Sequence, residues 1–421
     1  MNPDLTITPE PATPAQPGTS IHWYSVAQFG LSVLAIFALW GMAGSTLMAV
    51  LSQRLLGTSS GVDELPLFLI AGSFFFMGIL LLPSAYYSLM RIIGRPVERA
   101  PILARSFRPT LLIFGLPVLI AAGYWISQNQ TMAWLLLPPV HVLTITLPLL
   151  WLTYLGVRDL PLGSPQRAWG VFASGAAIAP VLILFVELAA LLGVVVVAVA
   201  SFTSNPAQVE FIERLANQLR ATDPSPEAVL QIFQPIVSNP LVIFSVIVFA
   251  AVIVPLIEEA IKPIGVWLLA GKRLDPAAGF AAGLLSGAGY AVIESLLLTT
   301  SGQEWAFLVF ARIGTGAVHI LTGGLVGWAL VLAWNQGSYL RLGAVYLLAV
   351  LIHGTWNGLT MVLAFDSLTP ALGAGFNTGF LTTVAQVAPY ILGGIAVLSF
   401  AGLLLANRTL ARRVETGKTI V

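Results

Sequence analysis

Hydrophobic positions in this chain come in long unbroken runs. Stretches of 18 or more apolar residues recur along almost the whole length, each enough to cross a bilayer as a helix. The period-two alternation of an outer-membrane barrel strand is absent. The runs predict ten spans, at about 25–51, 65–90, 110–128, 133–155, 169–202, 240–271, 277–300, 305–334, 342–366 and 379–407. The expected fold is therefore all-α, a polytopic membrane helix bundle with about ten transmembrane helices. The fifth run exceeds the roughly 20 residues that crossing requires, and Pro180 within it predicts a kink.

Two stretches depart from this pattern. Residues 1–22 are rich in Pro and Thr without a basic start, which reads as a disordered tail and not as a cleavable signal. Residues 203–239 place Val209, Ile212, Leu215 and Leu219 on one helical face, and Pro226 fits the first turn of a second helix. Two amphipathic helices at the outer interface are expected there, with a substrate-admitting lid as the sharper alternative. The predicted organisation is a tail (1–22), an accessory five-span bundle (23–202), the extracytoplasmic amphipathic helices (203–239), a four-span catalytic core (240–366), and the last span with a basic tail (367–421).

Composition agrees with the membrane reading: 57% of residues are hydrophobic and only 9% charged, against about a quarter charged in soluble domains. The distribution of the few basic residues sets an orientation. With the N-terminus inside, fourteen of the nineteen Lys and Arg fall in inside segments and three outside. Both termini are expected in the cytoplasm and the protein in the cell membrane. There is no cysteine, which excludes disulfides, thiolate metal sites and a cysteine nucleophile. No basic patch suggests nucleic acid.

Charges inside the later spans change the picture most. A charged side chain at mid-membrane costs about 3 kcal/mol on insertion scales, yet span six reads "VPLIEEAIKPIGVWLL". Glu258 and Glu259 lie four and three residues before Lys262, so both carboxylates reach the ammonium. Pro255 and Pro263 bracket them and leave the carbonyls of Ala251 and Glu259 without their usual N–H partners. Span seven carries Gly279, Gly283 and Gly287 at four-residue spacing, a close-packing face that continues through Tyr290 to Glu294. Span eight places Arg312, Gly316, His319 and Gly323 on one face, and span nine sets His353 one turn before Asn357. Spans one to five hold only His141 and Glu187 as buried ionisable candidates, single features without partners in the pattern. Each group has a plainer account alone: an interior histidine, a register-fixing ion pair, a counter-ion, a packing stripe. Their concentration in four consecutive spans points to one functional site.

The motif series E-E-x-x-K (Glu258 to Lys262), aromatic-x-x-x-E (Tyr290 to Glu294), an arginine-to-histidine helix (Arg312 to His319) and H-x-x-x-N (His353 to Asn357) resembles that of the PrsW-type intramembrane proteases. These belong to the superfamily of CAAX prenyl proteases and bacteriocin-processing membrane proteins. The resemblance covers roughly residues 240–360. Lys262 and Glu294 favour the PrsW branch over the prenyl-protease branch, which usually has arginine one residue further on and histidine in the second motif. The resemblance implies proteolysis of membrane-associated polypeptides, and in bacteria such proteases are linked to cleavage of single-span anti-sigma factors.

Without cysteine or a G-x-S-x-G elbow, water is the expected nucleophile. One version is metal-free. A glutamate of the pair, Glu258 ahead of Glu259, serves as general base, its partner holds the Lys262 charge or bonds to span seven, His353 and Asn357 donate to the oxyanion, and His319 orients the water or protonates the leaving group. A second version adds one divalent metal ion, zinc being the candidate, on Glu294, His319 and His353, with Glu258 again as base. H-E-x-x-H is absent. Tyr290, Glu294 and Arg312 are expected to support the site, which is predicted to be a wet cavity between spans six to nine. An ion-coupled carrier using the same acids, and a non-catalytic scaffold or immunity-type protein, are the rival classes.

Overall fold

The computed structural model describes residues 22–56, 64–95, 97, 113–203, 206–221, 226–372 and 379–416, all helices and connections among them. The tail expected at 1–22 lies outside the described residues apart from His22. In chain order the helices are α1 (Trp23–Leu56), α2 (Leu65–Ile92), α3 (Leu116–Ser127), α4 (Gln130–Val157), α5 (Pro165–Ala173), α6 (Ala179–Thr203), α7 (Pro206–Ala221), α8 (Pro226–Val237), α9 (Pro240–Val248), α10 (Val254–Ile261), α11 (Ile264–Trp267), α12 (Pro276–Leu297), α13 (Glu304–Gln336), α14 (Tyr339–Leu372) and α15 (Gly379–Glu415). A π-helical turn, Ser174–Ile178, joins α5 to α6, and another, Phe249–Ile253, joins α9 to α10.

Nine spans among the described residues are long and apolar enough to cross a membrane, so this is a multi-pass membrane protein. One expected span differs. Where 110–128 predicts a crossing, the structure has α3, 12 residues and about 18 Å long at 1.5 Å per residue, short of a roughly 30 Å hydrocarbon core. The first three residues of that predicted span lie outside the described residues. The two amphipathic helices expected within 203–239 are α7 and α8. On α7, Val209 and Leu215 are half-buried while Glu210, Glu213 and Arg214 face outward.

The helix breaks have local causes. Each π turn ends two residues before a proline: Pro180 follows Ser174–Ile178 and Pro255 follows Phe249–Ile253. A proline offers no N–H to the carbonyl four residues back and its ring crowds it, so the helix widens one turn earlier. The kink expected at Pro180 takes this form. Pro263 separates α10 from α11 in the same way. Asp275 starts α12 by accepting from the Ala278 N–H at 2.8 Å, with Pro276 in the first turn. Gly337, at φ 68°, ends α13 in the left-handed conformation that glycine takes without strain.

α12 and α13 form an antiparallel hairpin at the centre of the bundle, both almost wholly enclosed. Glycine fixes their register. Gly279 faces Gly327, Gly283 faces Gly323, and Gly287 faces His319, with backbone packed directly on backbone. A Cβ on Gly287 would sit 2.6 Å from the His319 carbonyl oxygen. Seven residues further along each helix in opposite directions, the same register sets Glu294 opposite Arg312.

The first half of the chain packs onto this hairpin and shares one apolar core with it. On α4, Leu149 fills the space left by Gly316. The π turn after α5 crosses α12 where Gly175 rests on the Ser286 backbone and Gly289 on the Phe172 carbonyl. Apolar contact of this kind needs small residues because lipid tails supply no hydrophobic drive between helices.

Candidate active site

The site forms where α10, α12, α13 and α14 converge. Its hub is Glu259, fully buried. One carboxylate oxygen, Oε1, lies 2.6 Å from Lys262 Nζ, 2.9 Å from His353 Nδ1 and 3.2 Å from Thr322 Oγ1. Lys262, also fully buried, places the same Nζ 2.8 Å from His319 Nδ1 and 5.4 Å above the Tyr290 ring. An ammonium only donates, so His319 Nδ1 accepts and its proton sits on Nε2. A carboxylate only accepts, so His353 carries its proton on Nδ1 and turns the Nε2 lone pair towards Glu258 Oε2, 3.7 Å away. The two imidazoles meet edge to face, centroids 4.7 Å apart.

A second pair closes the other side. Glu294 Oε1 lies 2.9 Å from Arg312 Nη2, and Arg312 Nε donates to Ser295 Oγ at 3.3 Å. Glu294 Oε2 approaches His319 Nε2 to 2.6 Å, but out of hydrogen-bond alignment, so both atoms remain without a bonded partner. Three carboxylates, Glu258, Glu259 and Glu294, thus face two permanent cations, Lys262 and Arg312. With all five groups ionised the cluster would hold one negative charge in excess, which a low-dielectric interior disfavours unless a cation or a proton is added. The side chain of Glu294 is 29% exposed, against 8% for Glu258 and none for Glu259, so the cluster opens on the Glu294 side.

Glu258, His319 and His353 have the chemistry of a metal centre. One potential ligand atom from each lies within 4.8 Å of the others, all three residues buried. A tetrahedral shell with bonds of about 2.0–2.1 Å sets its ligand atoms about 3.4 Å apart, so the three would have to close by up to about 1.4 Å. Glu258 Oε2 is buried without a hydrogen-bond partner, as an atom awaiting a ligand would be; His319 Nε2, equally unpartnered, could take a metal only once Lys262 gave up a proton and accepted from Nδ1. Glu259 supports the arrangement, since a carboxylate on Nδ1 of a ligating histidine fixes the ring and its tautomer.

The structure therefore brings together Glu258, Glu259, Lys262, Tyr290, Glu294, Arg312, His319 and His353. The metal-like trio differs in one member from the expected Glu294, His319 and His353: Glu258 has an oxygen within 4.8 Å of a nitrogen on each ring, while Glu294 lies between Arg312 and His319. Asn357 stands apart. Its amide donates to the Ala250 carbonyl at 3.3 Å, inside the π turn before Pro255, and the Ala251 carbonyl next to it is covered by Gly354.

Three residues at the site went unremarked in the sequence. Thr322 bonds the hub carboxylate. Ser286 bridges the break at Pro263, donating to the Lys262 carbonyl at 2.7 Å and accepting from the Gly265 N–H at 3.2 Å. The Tyr346 hydroxyl donates to the Leu256 carbonyl at 2.6 Å. Thr322 was detectable, being one turn beyond His319 on the same face. Serines and tyrosines inside apolar helices carry no such signal.

Against known families, residues 164–387, just over half of the chain, match the model of the PrsW family intramembrane metalloproteases. This chain belongs to that family. The PrsW match begins at the start of α5, so it takes in the fifth span as well as the four that carry the cluster. Searches of curated proteins and of solved structures return no significant match. Membership makes the chain an intramembrane protease, and the buried Glu/His/His trio is the one group among the described residues with the spacing to hold the metal that the family name implies.

Proposed function

We propose that the protein hydrolyses a peptide bond within or beside the membrane segment of a single-span polypeptide, with water as the nucleophile and a divalent metal, zinc by donor type, held by Glu258, His319 and His353. The observation that carries this reading is the convergence of one carboxylate and two imidazoles, with an orienting carboxylate, Glu259, bonded behind one imidazole. A metal in that position would polarise the scissile carbonyl and make the water acidic enough to react near neutral pH.

The chain's own residues supply the rest. Glu294 takes the proton from the attacking water, because its side chain is the most exposed of the cluster's carboxylates. Arg312 holds Oε1 and keeps the carboxylate aimed. As the water oxygen bonds to the carbonyl carbon and the C–N bond breaks, the same proton passes to the departing nitrogen, leaving an acid and an amine. The Tyr290 hydroxyl, which faces Glu258, and the Arg312 guanidinium are the donors placed to meet charge on the carbonyl oxygen. Lys262 offsets Glu259 and fixes His319. Asn357 holds the broken backbone of span six and not the reacting atoms.

The basic-residue bias favours a cell-membrane protein with both termini in the cytoplasm. Anti-sigma-type single-span proteins are the proposed substrate class, as expected from the motif series.

The test is cleavage of a tagged single-span protein co-expressed with wild type or with Glu258→Gln, together with metal analysis of the purified chains. A product with wild type, none with the variant, and near-stoichiometric metal that falls on His319→Ala or His353→Ala are expected. Undiminished product from Glu258→Gln would remove the proposal.

A further inference from the structure

One acidic residue outside the cluster is aimed at it. Glu187 is the only ionisable residue of α6, and the residues flanking it, Phe185, Val186 and Leu188, are exposed on the membrane-facing surface of the bundle. Glu187 itself is half-buried, and its Oε1 is enclosed without a hydrogen-bond partner. Its direction follows from its neighbours. Ala179 and Ile183 pack on Tyr290, together with Ile261 and Ile264, and Glu187 lies one turn beyond Ile183 on that same face. It interacts electrostatically with Glu294 and Glu258.

The helices around the cluster differ in how far they are covered. α12 and α13 are enclosed, and the π turn before α10 is closed against α14 where Gly354 rests on the Ala251 carbonyl. α6 meets the core chiefly through α10 and α12. Beyond Ile183 most of its described side chains, from Leu184 to Val199, are exposed.

A membrane-embedded substrate must unwind before its carbonyl can be attacked, because a helix engages every carbonyl in its own ladder. Unwinding frees N–H groups at membrane depth, where acceptors are scarce. We propose that Glu187 is one such acceptor, a substrate-positioning carboxylate that binds a backbone N–H of the unwound segment as it passes between α6 and the cluster. The proposal rests on the proteolytic reading above.

The experiment uses a single-span substrate that wild type cleaves, in proteoliposomes, with full-length enzyme. Glu187→Leu is expected to raise KM about tenfold or more, the effect of losing a hydrogen bond to a charged acceptor, with kcat changed far less. Glu187→Gln, which keeps an acceptor oxygen, is expected to recover part of the loss. Independently, a photo-crosslinking residue at Leu191, one turn beyond Glu187, is expected to trap the substrate in the Glu258→Gln background, while the same probe at Phe185 on the opposite face is not. Unchanged KM in Glu187→Leu, or equal crosslinking from both positions, overturns the inference. If Glu187→Leu does not fold, the crosslinking comparison decides alone. Loss of cleavage by wild type itself would instead strike the proteolytic reading.

Discussion

Adding a single methyl group at Gly283 should disable the enzyme from the far side of a helix. At that position an added Cβ meets the Gly323 carbonyl oxygen at well under contact distance and lies 2.9 Å from the Gly327 Cα. Ordinary contact begins near 3.4 Å, so the second distance alone demands an opening of roughly 0.5 Å, and the first demands more. Both obstacles are backbone, which cannot rotate away. Gly283→Ala must therefore push α12 from α13, at about 1–3 kcal/mol for overpacking. The Glu294–Arg312 contact at 2.9 Å and the Glu294–His319 approach at 2.6 Å span the same two helices and stretch with them. Misplacement on the scale of 1 Å costs about a hundredfold in rate. Gly41→Ala is the control, since nothing lies within 4 Å of its added Cβ. There the substitution is expected to stabilise by up to about 1 kcal/mol through helix propensity. The assay pairs thermal unfolding in detergent with cleavage of the single-span substrate. Wild-type cleavage and stability in Gly283→Ala would refute the idea that the glycine register sets the site.

Lys262→Met leaves Glu259 buried without its cation and should cost about 3–5 kcal/mol, read as a lowered unfolding midpoint at neutral pH. Asn357→Ala frees the Ala250 carbonyl, expected to cost about 1–3 kcal/mol while metal content stays at the wild-type level; a fall in bound metal would return Asn357 to the reacting centre. Ser286→Ala breaks both bonds across the Pro263 gap and should lower stability by about 1–2 kcal/mol, visible as a lowered unfolding midpoint in detergent. A chelator should abolish cleavage and added zinc restore it, and activity indifferent to both would exclude the metal.

Much of this architecture is legible in the amino-acid order because a bilayer allows so few solutions. Long apolar runs have to be helices, and charged residues within them have to face inward. The stripe through Gly279, Gly283, Gly287 and Glu294, and its counterpart through Arg312, His319 and Gly323, are both visible as one-turn and two-turn spacings. Together they foretell the Glu294–Arg312 pairing. Spacing says nothing, however, about how far one helix stands from another. Glu258 and Glu294 are equivalent on paper as partners for the histidines, and only the crossing of α10 over the hairpin separates them. Asn357 looked like a donor to the reaction because it follows His353 by one turn. The π turn that places a bare carbonyl in its path depends on how Pro255 is accommodated, which no periodicity reveals. α3 illustrates the opposite failure, where an apolar run long enough to cross yields a helix that is too short.

The enclosed hairpin has a consequence for how the protein comes to exist. Mean hydropathy is 1.5 for Pro276–Leu297 and 1.7 for Glu304–Gln336, against 2.8 and 2.9 for the spans that include α6 and α10 just before them. The two helices at the heart of the enzyme are thus poorly suited to meet lipid by themselves as they leave the ribosome. The greasier segments synthesised earlier offer them a ready protein surface, and α4 and α5 meet them through glycine contacts. Biogenesis then runs from outer wall to inner machinery, and a chain shortened from its N-terminal side would strand its chemistry in a solvent that rejects it.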